Sequence, residues 1–171
     1  MDVNEKIQRW IEGLQNFDLW QSACDFYKDN EEELVEMNVK QLQHGLTPES
    51  EQITPEYGHT PGFPLQEQYY WLKRNMPGMN RFDVADRDIR TPNLGLHGGF
   101  YSSITIQTDD DQILFTSTDP KWANPVAWWD GDTRSIQERY GNVLGIPADA
   151  EKEVDERRNT SISDQFRKIF D

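Results

Sequence analysis

The chain has 171 residues, a length for which one domain is the default and two very small ones the alternative. Thirty-one acids against seventeen bases give a formal charge of -14, and no third of the sequence is net basic. Nothing therefore draws in a phosphate backbone or an anionic membrane surface, and neither specific nucleic-acid binding nor membrane binding is expected. Apolar residues make up 35% and the mean hydropathy is -0.87, which suits a protein with a large surface, part of it covered by partners. Aromatics compensate for the scarcity of aliphatics, since each buried ring removes roughly 150–250 Å² from water.

Val3 to Gln15 reads as a helix, with Ile7, Trp10, Ile11 and Leu14 at i, i+3, i+4 and i+7 on one face. A second helical piece over 18–28 is apolar almost all round (Leu19, Trp20, Cys24, Phe26, Tyr27). Cys24, the lone cysteine, is expected to be a buried structural thiol, with no intrachain disulfide or thiolate metal site possible. Asp29 or Asn30 is placed to cap a third helix, with Glu31, Glu32 and Glu33 in its first turn where the helix dipole favours negative charge. Val35, Val39 and Leu42 continue one face, and Gly45 is a natural stop.

Over 46–80 five prolines interrupt regular structure, so this segment reads as a loop or arm. Its aromatic stretch Tyr69-Tyr70-Trp71-Leu72 is either a core plug or an interface anchor. From residue 98 onward the pattern becomes that of strands. Ser102, Ile104 and Ile106 alternate with Tyr101, Ser103, Thr105 and Gln107. The turn Asp109-Asp110-Asp111-Gln112 follows and the return strand begins at Ile113, a β-hairpin. Three tryptophans, Trp122, Trp128 and Trp129, then sit in a loop rich in Pro, Asn and Gly. They either fold back onto the sheet or await a partner. Thr133 is placed to cap a short helix over 134–140 that Gly141 ends. Pro147 opens the last helical region, 148–171, where Ser161 and Asp164 suggest a restart into a second helix. Ile162, Phe166, Ile169 and Phe170 form one stripe, expected to dock on its own domain or on a neighbour.

The start of the chain lacks the basic and apolar regions of a signal peptide, and no apolar run approaches the ~20 residues that span a bilayer. His44, His59 and His97 have no metal-ligand spacing to one another. Gly95, Gly98 and Gly99 precede a strand and fit a turn better than a phosphate cradle. No nucleophile elbow is present, and acids are too numerous for any pair to point to glycoside hydrolysis. No cofactor and no enzymatic activity are expected.

Several spaced fragments carry a resemblance. Gln41-Leu42 with Gly45, Ile53-Thr54-Pro55 with Tyr57, Gly98 with Phe100-Tyr101 and Ser103, Ser117-Thr118-Asp119 with Lys121, Tyr140-Gly141 and Gly145-Ile146 stand in that order. Over roughly 40–147 they resemble a family of small proteins of Bacteroidetes phages, crAss-like phages among them. The resemblance implies a virion component of the head–tail junction or tail: a ring, connector or tail-completion subunit assembled in the host cytoplasm. It would form homo-oligomers and touch portal, neck or tail proteins, with DNA passing nearby. The expected fold is α+β in one domain over 1–171, with N-terminal helices, a small antiparallel sheet centred on a hairpin, and C-terminal helices. Tyr70, Trp71, Trp122, Trp128, Trp129, Phe166 and Phe170 are the expected contact residues. The rival readings are a small acidic inhibitor that mimics DNA and an enzyme with an unrecognised site.

Overall fold

A computed structural model describes residues 2–56, 75, 82, 84, 88, 90–95, 98–126 and 132–171. Among these, five α-helices and a two-stranded antiparallel sheet make an α+β fold with helices at both ends of the sequence. The elements are α1 (Val3–Asn16), α2 (Leu19–Asp29), α3 (Glu31–Gln43), β1 (Ile104–Thr108), β2 (Ile113–Ser117), α4 (Ile136–Tyr140) and α5 (Glu151–Arg167). The chain divides into two compact units, Met1–Glu31 with Asp149–Asp171, and Glu32–Ala148.

The first unit is wholly helical. Glu5 accepts the Asp2 backbone N–H at 2.9 Å at the start of α1, and Asp18 accepts that of Gln21 at 2.9 Å to begin α2. Asn30, a candidate cap for α3, ties α2 to α5. Its amide Nδ2 donates back to Phe26 O at 2.7 Å, while its Oδ1 accepts from Arg157 of α5 at 3.0 Å. α2 packs against α5, and Cys24, Phe26, Tyr27 and Val154 are buried, as expected of the thiol. α5 runs unbroken through Ser161, so the restart does not occur. The hydroxyls of Thr160 and Ser163 bond to the carbonyls of Glu156 and Asn159, one turn back in the same helix, rather than opening a new one.

The second unit is built on the hairpin. β1 and β2 pair in register from Ile104↔Ser117 to Thr108↔Ile113. Asp109 N–H to Gln112 O, 2.9 Å, closes the turn. Ile104 and Ile106 point inward, joining Leu42, Ile53, Phe100, Tyr101, Trp122, Ile136, Tyr140, Val143 and Leu144 in or beside one core. The strand expected from about residue 98 starts later. Tyr101–Ser103 forms a 3-10 turn, because the Ser102 and Ser103 hydroxyls bond to Gly99 O and Phe100 O and compete with strand pairing.

α3 buries Leu34, Asn38, Gln41 and Leu42, with Val35 and Val39 only half-buried. The buried face therefore includes two amides that look like surface residues in the sequence. Asn38 Nδ2 donates to Val143 O at 3.3 Å and Gln41 Nε2 to Leu46 O at 2.8 Å. These carbonyls belong to irregular segments that have no ladder to satisfy them, so side chains of the nearest helix do it. Past α3, Gly45 adopts φ +73°, and a Cβ there would stand 2.5 Å from Thr91 Cγ2. The chain then turns tightly. Ile53 N–H returns to Gly45 O at 2.8 Å, and the Ile53 side chain is fully buried. The first part of the proline-rich segment is thus part of the core. Of 57–80 only residue 75 is described.

Candidate interaction surface

Among the described residues, nine large apolar side chains are exposed, and eight of them belong to the helical unit: Val3, Ile7, Ile11, Leu14, Leu19, Trp20, Phe166 and Phe170. Leu114 on the hairpin is the ninth. Single exposed apolar residues are ordinary; a concentration of them on one small unit marks a surface meant to be covered.

The geometry of α1 explains the concentration. The helix has no buried residue. Its half-buried positions are Lys6, Trp10, Gly13 and Phe17, a stripe at i, i+4, i+7 and i+11. Along that stripe α1 receives the end of α5. Trp10 meets Phe170 with ring centroids 5.8 Å apart, Phe17 meets Phe166 edge-on at 5.2 Å, and the two phenylalanines touch at 5.5 Å. Gly13 makes the approach possible, since a Cβ there would lie 2.5 Å from Ile169 Cγ2. Lys6 lies over the Trp10 ring at 5.1 Å. The helix's most apolar face is turned away from this contact by most of a right angle. Val3, Ile7, Ile11 and Leu14 are left open on it.

Charge is also sorted around α1. Glu5, Arg9 and Glu12 share one stripe at i, i+4 and i+7 on the side opposite the open face. Asn4, Gln8 and Gln15, all exposed, border the open face on the side away from α5. The rim there is polar and uncharged.

The sequence-derived contact residues fall into three groups. Phe166 and Phe170 lie on this surface, docked on α1 by one edge and exposed by 40% and 38% on the rest. Trp122 does not. It is 6% exposed in the core of the hairpin unit, its ring 5.9 Å from that of Phe100. Its backbone is pinned between Asp119 O and Gln137 N–H, so the indole folds back rather than awaiting a partner. Tyr70, Trp71, Trp128 and Trp129 lie outside the described residues. Of the open face of α1, Ile7, Ile11 and Leu14 were visible in the sequence as an apolar stripe, whereas Trp10, read on that same stripe, turns instead to Phe170. What periodicity lacks is any sign of whether another element covers such a stripe.

Among the described residues the hairpin unit holds a compact ionic cluster. Asp132 accepts from Arg134 at 2.8 Å and from Arg139 at 3.0 Å. The Arg134 side chain first, and then its backbone N–H and both guanidinium charges, hold the Asp132 carboxyl down to about 2 against the opposing effect of desolvation. Arg139 is buried and the cluster ties residue 132 to α4, a structural task. Among the described residues no group of acids, histidines and cysteine is arranged to hold a metal ion, and no helix is long and apolar enough to cross a membrane.

Compared with protein-family models, curated proteins and solved structures, the chain matches none.

Proposed function

We propose that this chain is a structural subunit of a phage virion, a ring, connector or tail-completion protein of the neck or tail. One observation supports the reading most: among the described residues, the helical unit carries eight of the nine exposed large apolar side chains, four of them on a helix with no buried residue. Such a helix is incompletely covered in a lone chain and is completed by protein neighbours. The net charge of -14 fits a position beside DNA, which would pass without adhering. In this role the chain performs no chemistry. Its work is done by contacts with copies of itself and with portal, neck or tail proteins.

Co-expression with the portal, neck and tail proteins encoded beside it, followed by gradient sedimentation, tests the reading. Co-migration with one of them in fixed proportion is expected. A chain that stays at the top of the gradient with every one of these proteins contradicts it.

A further inference from the structure

The open face of α1 has a definite character that narrows what covers it. Val3, Ile7, Ile11 and Leu14 lie along it, with Leu19 and Trp20 of α2, Phe166 of α5 and Phe170 just past its end exposed in the same unit. Full side-chain areas are on the order of 150–250 Å² for the aromatics and somewhat less for the aliphatics. At exposures of 38–70% the eight residues, spread over α1, α2 and the C-terminal end of the unit, together present roughly 600–900 Å² of surface. A stable protein–protein contact needs about 800 Å² from each partner.

Electrostatics select the partner. Copies of a chain with charge -14 repel one another unless they meet where charge is absent. α1 provides such a place: its two glutamates are matched by Lys6 and Arg9, and the free border of its apolar face is Asn4, Gln8 and Gln15. A basic partner would find no acids to pair with along that border, and a second copy meets no like charge from the border itself. The counter-surface must itself be apolar, and among the described residues this unit supplies eight of the nine exposed large apolar side chains. We infer that the chain self-associates through its helical units, the Val3-Ile7-Ile11-Leu14 face of one copy covered by the helical unit of another. The inference rests on the structural-subunit reading in that it takes this surface for the docking surface.

Sedimentation equilibrium of the full chain over a wide concentration range tests it. The expected mass is a multiple of 20.1 kDa. Ile7→Glu/Ile11→Glu is expected to weaken association by more than about tenfold, because two carboxylates would be buried unpaired at the contact. Glu12→Gln, on the opposite stripe, is expected to leave it unchanged. Both Ile7 and Ile11 are more than two-fifths exposed, so the helical circular dichroism of the variant should persist. Hydrogen exchange of the unaltered chain needs no variant: protection over 3–14 and 166–170 should rise with concentration.

Three results would overturn the inference: a 20.1 kDa species at every concentration, association indifferent to the two glutamates, or a monomer that instead sediments with phosphatidylcholine vesicles. A monomer that nevertheless co-migrates with neck or tail proteins would defeat the self-contact and leave the virion role standing. Self-association through this face without any binding to those proteins would do the reverse.

Discussion

Trp122 and Phe170 show how differently two exposed-looking aromatics are used. Trp122 is walled in by Phe100 and the backbone around α4, so Trp122→Ala is expected to cost about 3–5 kcal/mol, read as a fall in the denaturant midpoint. Phe170 touches Trp10 and Phe166 and stays 38% exposed. The same logic applies at Gly13. Alanine in a helix interior normally gains about 1 kcal/mol over glycine. Here the added methyl would overlap Ile169, and Gly13→Ala is expected to bring no stability and to speed amide exchange at Ile169 and Phe170. Asp132 is the residue with a pH signature. Its carboxyl titrates at about 2 in the fold against 3.8 when free, so folding favours the ionised form. That contribution is complete above about pH 4 and disappears as pH falls through about 2. Asp132→Asn is therefore expected to lower stability by about 1–2 kcal/mol at neutral pH, after allowance for solvent screening, and to narrow its deficit against the parent below pH 3 or so.

At the level of elements, α4 depends on its cap. Ser135 Oγ accepts the Glu138 N–H at 3.1 Å, and Glu138 returns to the Ser135 backbone N–H at 2.9 Å. That backbone bond, and then the Ser135 hydroxyl, hold the Glu138 carboxyl below its ordinary value. For a five-residue helix with Ser135 almost fully buried, Ser135→Ala is expected to cost about 0.5–2 kcal/mol in thermal or chemical melts. The capping-box spacing Ser135-x-x-Glu138 was present in the sequence, yet Thr133 stood closer to the expected start and obscured it. The longer elements were legible: the apolar periods placed α1 and α2 to within a residue or two, and the alternation through Ile104 and Ile106 identified the hairpin, although β1 begins several residues later than expected. The departures share a cause. Ser102, Ser103, Asn38, Gln41, Thr160 and Ser163 use their side chains on nearby or distant backbone, and pattern reading credits a polar side chain only with solvent.

For the whole molecule, α+β content follows from those periods, whereas the division into a helical unit and a hairpin unit does not. Residues 1–31 find their partner at 149–171, a pairing that local sequence does not encode. The contact residues divide in the same way. The stripe of Phe166 and Phe170 was readable because its period is helical. The fate of Trp122 was not, because one indole in an irregular loop looks the same whether it faces the core or a partner. The open face of α1 then emerges only from the difference between two faces of one helix, the Trp10-Gly13-Phe17 stripe that receives Phe166, Ile169 and Phe170 and the Val3-Ile7-Ile11-Leu14 stripe that receives nothing described.

The most direct check of the proposed virion role is a peptide-level count of this chain in purified, DNA-filled virus particles from its native source. Several copies per particle, in fixed ratio to the portal or a tail protein, is the expected result. Particles that are complete and infectious without the chain would contradict it.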